Sequence, residues 1–191
     1  MKRYIVQSIR LTLVLTVLLC IIYPVIIAFV GRLSKGGGNG ETISVNGKVV
    51  GYANIGQKFT KDEYFWSRPS AVDYNAAGSA GSNKGPSNPD YLKDVEARIQ
   101  NFLKHNPGVT RAEIPADLVT ASGSGLDPDL SPQAAQIQTA RIAKVRNIPV
   151  QQVVQLVNQQ TEQPLFGLFG PPKVNVLKLN IALDQLKNKN E

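Results

Sequence analysis

Twenty consecutive residues without a charge, LTLVLTVLLCIIYPVIIAFV from Leu11 to Val30, constrain everything else this chain can be. At about 1.5 Å of rise per residue, a helix of that length crosses a hydrocarbon core about 30 Å thick. Lipid offers the backbone no hydrogen-bond partners, so the segment must satisfy itself as a helix. Pro24 removes one rung of that ladder and predicts a kink. A cleaved signal peptide fits less well, because the run exceeds the roughly 7–15 residues of an h-region and no A-x-A site follows it. Cys20 is no lipoprotein anchor, since bulky Leu19 precedes it and apolar sequence continues beyond it. Lys2, Arg3 and Arg10 in front outnumber Arg32 and Lys35 behind, which favours an N-terminus inside and the remaining chain outside.

Behind the anchor, SKGGGNG (Ser34 to Gly40) reads as a flexible linker. The expected organisation is a basic flank over 1–10, the anchor over 11–30, the linker over 31–40 and one extramembrane domain over 41–191. In ISVNGKVVGYANIGQKF, Asn46-Gly47 between β-branched runs predicts a hairpin. Tyr64 to Pro89 is rich in Gly, Ser and Asn and predicts a long ordered loop. Asn88 then caps a helix that starts at Pro89, with Leu92, Val95, Ile99, Phe102 and Leu103 on one face. Ser131 caps a second helix through QAAQIQTARIAKVR, Pro149 starts a third, and VNVLKLNIALDQL closes as a strand running into a short helix. Strands at both ends with helices between them predict an α+β domain behind a single transmembrane helix.

Composition excludes several chemistries. Beyond the first apolar run there are 18 Lys and Arg against 14 Asp and Glu, scattered without a basic face, so nucleic acid is not an expected partner. The single Cys lies in the anchor and there is a single His, His105, so neither a disulfide nor a zinc centre is expected. His105, near the end of a polar-flanked helix, reads as a solvated surface residue.

The most suggestive stretch is LVTASGSGLDPDLSP, Leu118 to Pro132. A Walker loop would end in Gly-Lys-Ser/Thr, yet Leu126 and Asp127 follow Gly125. An esterase elbow needs glycines two residues either side of its serine, and neither Ser122 nor Ser124 has them. Asp127 and Asp129 read as turn and cap residues. What remains is a loop of Ser122, Gly123, Ser124, Gly125 and Asp127 that turns a corner and displays polar groups to a nucleotide or a partner. Backbone geometry should matter more there than the hydroxyl, so Gly123→Val or Gly125→Val is expected to impair assembly with a partner more than Ser122→Ala does. Gln138 and Arg141, one helical turn apart, face either a ligand or partner, or solvent. Arg68 either braces its loop or binds a carboxylate or partner. Ser82, Asn83 and Asn88 either form a docking surface or satisfy the loop backbone.

Four ordered blocks carry a resemblance: IGQKFTKDEYFWSRPSAVDYN, GSAGSNKGPSNP, LVTASGSGLDPDLSPQAA and VNVLKLNIALD. Together with the single N-terminal span they resemble the C subunit of the Kdp-type potassium-transporting ATPase, over nearly the whole chain. The resemblance implies an accessory, non-catalytic subunit of a bacterial inner-membrane potassium pump. Its partners would be a P-type ATP-hydrolysing subunit, a channel-like potassium-translocating subunit and membrane lipid. The chain agrees in lacking an Asp-Lys-Thr-Gly phosphorylation motif. The family's C subunit is described as stabilising the complex and as a catalytic chaperone raising the pump subunit's affinity for ATP. The alternative is a cap on the outer mouth of the channel-like subunit without nucleotide contact. No cofactor is expected on this chain itself, ATP entering only in complex with the pump subunit. An outward-facing domain would have to act by coupling across the assembly, since direct ATP contact requires the opposite orientation.

Overall fold

Pro24 sits four residues after Cys20, and the computed structural model, described over residues 2–188, shows what the helix does about it. Helix α1 (Lys2–Thr16) widens into a π-helical stretch, Val17–Ile22, and resumes as α2 (Tyr23–Arg32). The Tyr23 N–H donates to the Leu18 carbonyl five residues back, so the register slips just ahead of the missing proline N–H. The helix begins well before the apolar run because no Gly or Pro interrupts Lys2 to Arg10. Its span Arg3–Arg32 is long and apolar enough to cross a membrane.

The chain divides into a unit Met1–Thr42 and a unit Ile43–Glu191. The second is α+β with two small sheets. Strands β1 (Thr42–Val45) and β2 (Lys48–Tyr52) form the expected hairpin, with Asn46 at φ 51° and Gly47 at φ 76° as its turn. The second sheet has the order β3-β5-β4, from β3 (Asp129–Leu130), β4 (Thr161–Glu162) and β5 (Lys173–Asn175), all antiparallel. Val174 is its centre, pairing with Leu130 on one side and Thr161 on the other. Strands therefore also occur between helices, where two-residue pieces leave no period-two signal in the sequence.

Helix α3 (Pro89–His105) starts as its caps predict: the Asn88 side chain accepts from the Tyr91 N–H at 3.0 Å. It buries Ile99 and Phe102, while Leu92 stands outside at 52% exposure. The expected second helix is broken into α4 (Pro132–Gln136) and α5 (Thr139–Arg146). At the break Gln138 spends its side-chain amide on the Ala134 carbonyl, at 3.0 Å, while its N–H turns to Ala135. That is a 3₁₀ bond where a continuing helix would use Ala134. Asn147, left-handed at φ 56°, ends α5, and α6 (Val150–Gln160) follows Pro149. Helix α7 (Val176–Asn188) is the last element among the described residues. Phe65, Ile142, Val153, Val157, Val174, Leu179 and Leu183 form the fully buried centre.

A two-pronged ion pair ties α3 to the turn Arg111–Glu113. Arg111 Nη1 donates to Glu96 Oε1 at 2.8 Å and Nη2 lies 2.6 Å from Oε2. These bonds, with one from Gln100, hold the Glu96 carboxyl down to about 2. A carboxylate depressed in the folded state adds stability above its ordinary 4.5, lost as pH falls through about 2. Acid unfolding should therefore show a small loss of stability in that window that Glu96→Gln abolishes; an unchanged acid limb in the variant would contradict it.

Candidate functional site

The segment Asp62 to Arg68 is not a strand, yet much of its backbone, from the Asp62 to the Trp66 carbonyl, is paired by side chains. Asn180 of α7 accepts from the Phe65 N–H at 2.8 Å and donates to the Phe65 carbonyl at 3.1 Å. Gln138 does the same for Trp66, accepting from its N–H at 2.8 Å and donating to its carbonyl at 3.4 Å. Arg141 of α5 donates to the carbonyls of Asp62 and Tyr64, to Asn106 Oδ1 at 3.0 Å and to Gln138 Oε1 at 2.8 Å. Its guanidinium lies 4.7 Å from the centre of the Trp66 ring. Arg146 takes the Glu63 carbonyl at 2.7 Å and Asp184 at 2.7 Å.

Gln138 is completely buried and the Arg141 side chain is 3% exposed, so neither lies on a solvated helix face. The reason is geometric. Ala134, Gln138, Arg141 and Ile142 share one inward stripe, and Val176, Leu179, Asn180 and Leu183 share another. The polar members of those stripes grip backbone that would otherwise be buried unpaired. Burial lowers the Arg141 guanidinium to about 10, which keeps it charged at neutral pH. Asn180, Arg146 and Asn106 escaped sequence reasoning, although an Asn on the apolar stripe of α7 was a readable signal.

The loop Leu118 to Pro132 also spends its donors internally. Ser122, buried, accepts from the Gly125 N–H at 2.9 Å, and its own N–H reaches the Pro69 carbonyl at 3.3 Å. Ser124 Oγ accepts from the Leu126 N–H at 3.0 Å, and Asp127 from the Asp129 N–H at 3.0 Å. Asp127 also pairs with Arg68 Nη1 at 2.8 Å. Behind it, Gly56 donates to the Leu126 carbonyl at 2.7 Å. A Cβ on Gly56 would lie 2.9 Å from the Asp127 carbonyl carbon, so the loop closes on a backbone that tolerates no side chain.

What this loop leaves outside is Gly123 and Ser124. Ser79 Oγ donates to the Ser124 carbonyl at 2.9 Å, and a Cβ on Gly81 would sit 3.0 Å from the Gly123 carbonyl oxygen. Exposed Ser82 and Asn83 follow Gly81 directly. Four of the residues singled out in two distant stretches of sequence thus share one polar patch. Arg68 and Asn88 do not join it, being committed to Asp127 and to the α3 cap.

A groove of about 610 Å³ runs between α3 and the segment Lys58 to Tyr74, with Trp66 and Phe102 on its floor. Its cations are already answered: Lys58 by Asp73 at 2.5 Å, Arg68 by Asp127, and Arg98 by the Val119 carbonyl at 3.0 Å. His105 is half-buried here rather than solvated, 2.8 Å from Asp62 and edge-on to Trp66 at 5.0 Å. The sequence placed it on a polar helix end, but the 62–66 strip folds across that end. Among the described residues no three His, Cys, Asp or Glu gather as a metal would need.

Two comparisons with known proteins bear on this geometry. The family model described as "KdpC: K+-transporting ATPase, c chain" matches residues 5–185. A curated protein of Flavobacterium johnsoniae is 57% identical over 178 residues, covering 93% of this chain and 96% of its own. Proteins of Bacteroides fragilis (50% over 186 residues, 96% and 97%) and Phocaeicola vulgatus (51% over 190 residues, 98% and 100%) are similarly close. All three relatives carry the name potassium-transporting ATPase KdpC subunit.

Proposed function

This chain belongs to the KdpC family, the c chain of the K+-transporting ATPase, and from that premise we propose that it is a non-catalytic subunit acting by docking alone. It stabilises the bacterial inner-membrane assembly and raises the ATP affinity of the P-type subunit without touching the nucleotide. The observation that carries this reading is the inward use of polar groups. Ser122, Asp127, Gln138 and Arg141 are consumed by the chain's own backbone and side chains, which leaves surface, not a reactive centre, as the means of action. The patch of Ser82, Asn83, Gly123 and Ser124 is one contact with the larger subunits. The unit lies on the extracytoplasmic side, as the charges flanking the anchor favour. The excess of positive charge beyond the anchor supplies no attractive field for K+, so docking is preferred over an electrostatic funnel at the channel mouth.

Coupling without nucleotide contact has a thermodynamic signature. If binding of this chain raises ATP affinity by some factor, ATP must tighten retention of this chain by the same factor, typically about 5- to 150-fold. The assembly is purified with and without the chain, and ATP binding and chain retention are titrated separately. Equal factors are expected; a chain that alters ATP affinity without reciprocal tightening would overturn the equilibrium reading. A reporter fused at the C-terminus fixes the side of the membrane. Ser82→Arg with Gly123→Arg should lower recovery of the complex about tenfold while leaving folding intact. Undiminished recovery would remove the patch from the interface.

A further inference from the structure

Between β4 and β5 the chain throws out a finger, QPLFGLFGPP from Gln163 to Pro172, containing a tandem Leu-Phe-Gly and no charge. Its four large apolar side chains all point to solvent: Leu165 is 64% exposed, Phe166 84%, Leu168 80% and Phe169 66%. A folded domain gains nothing from displaying that much apolar surface together. The root is fixed by the register Glu162↔Lys173. The tip is fixed by bonds from the Leu165 N–H to the Phe169 carbonyl (3.1 Å), from the Phe169 N–H to the Leu165 carbonyl (3.0 Å) and from the Gly167 N–H to the Pro164 carbonyl (2.8 Å). Phe166 is held at φ 55°, a left-handed conformation that bulky residues avoid, beside Gly167 at φ 71° and Gly170 at φ 81°.

We propose that this finger is an anchor that inserts Phe166 and Leu168 into an apolar pocket on a large membrane subunit of the same transport complex. The inference rests on the docking function proposed above and names a second contact for it. Two observations favour a protein pocket over the bilayer surface. A strained, hydrogen-bonded turn presents a fixed shape, which a complementary pocket rewards and fluid lipid does not. The cations nearest the finger are neutralised as well: Lys173 by Asp129 at 2.7 Å and Glu162 at 3.9 Å, Lys178 by Glu162 at 3.3 Å. Nothing at the root is left to address anionic headgroups, which a membrane-seeking loop uses alongside its apolar residues.

The test uses the assembled complex carrying the full chain. Phe166→Ser with Leu168→Ser is expected to lower recovery of the large subunits at least about tenfold. Phe166→Leu, which keeps the apolar bulk, should retain most of it. The unfolding midpoint read from Trp66 should not move, since the finger packs on no core residue. For the occupant, Leu168→Cys is made in a Cys20→Ser chain, which removes the only native thiol, and is coupled to a thiol-directed photo-crosslinker or a fluorophore. Cross-linking to a larger subunit, without quenching by nitroxide-labelled lipid, supports the proposal. Quenching by lipid without cross-linking, cross-linking to a second copy of this chain, or undiminished recovery of the double variant each overturns it. If the unmodified chain fails to retain the larger subunits at all, the docking function fails instead, so the two failures are distinguishable.

Discussion

Replacing Arg141 by methionine is expected to destabilise the extramembrane unit by about 3 kcal/mol, although it exchanges a buried charge for an apolar side chain of similar reach. Elsewhere such exchanges are neutral or favourable, because a buried charge carries its own desolvation cost. Here the charge is shared among acceptors that do not leave with it. The carbonyls of half-buried Asp62 and Tyr64 and the amide oxygen of buried Asn106 would all lose their donor, and Gln138 would lose one of two. Lysine should not rescue the fold, since one ammonium cannot reach four acceptors spread across a planar fork. The readout is built in, because Trp66 is the chain's only tryptophan and lies beneath the Arg141 guanidinium. Urea unfolding of the full chain in micelles, followed by Trp66 emission, should show an earlier midpoint and an altered native spectrum. A methionine variant within about 0.5 kcal/mol of wild type would mean that water satisfies those acceptors as well as Arg141 does.

The same residue shows where the sequence stops being readable. The anchor, the Asn46-Gly47 hairpin and the caps at Asn88 and Ser131 depend on residues within a few positions of one another, so local pattern suffices. Gln138 and Arg141 depend on main-chain groups more than seventy residues away, and nothing local distinguishes them from a wet helix face. The break between α4 and α5 has the same origin, since Gln138 leaves the helical pattern at the position where it grips Trp66. The polar patch was legible as composition in two separate loops but not as one surface, because their meeting at Gly81 and Gly123 is tertiary. The exposed Leu-Phe-Gly finger was not singled out in the sequence at all. Apolar runs beside strands are ordinarily core, so nothing in its composition marked it as exposed.

Gly125→Val should be the most damaging single change in the Leu118 to Pro132 loop, at about 3 kcal/mol or more, whereas Gly123→Val should leave folding within about 0.5 kcal/mol of wild type. The sequence gives the two glycines equal standing; their surroundings separate them. Gly125 is buried at φ 68°, where a Cβ would lie 2.6 Å from Val72 Cγ2 and 2.8 Å from the Ala80 carbonyl oxygen. Its N–H is held by Ser122 and its carbonyl accepts from Ser70 Oγ at 2.7 Å, so the backbone cannot swing away without opening both loops. A valine there combines a left-handed conformation that β-branched residues avoid with overlap against backbone. Gly123 has no positive φ, and a Cβ on it would meet nothing within 4 Å. Ser122→Ala falls between them, removing one bond to the Gly125 N–H but no volume conflict, for about 1 kcal/mol. Unfolding midpoints of the three variants should rank in that order. If Gly123→Val unfolds as early as Gly125→Val, the loop is held by something other than its closure on Ser70, Val72 and Ala80.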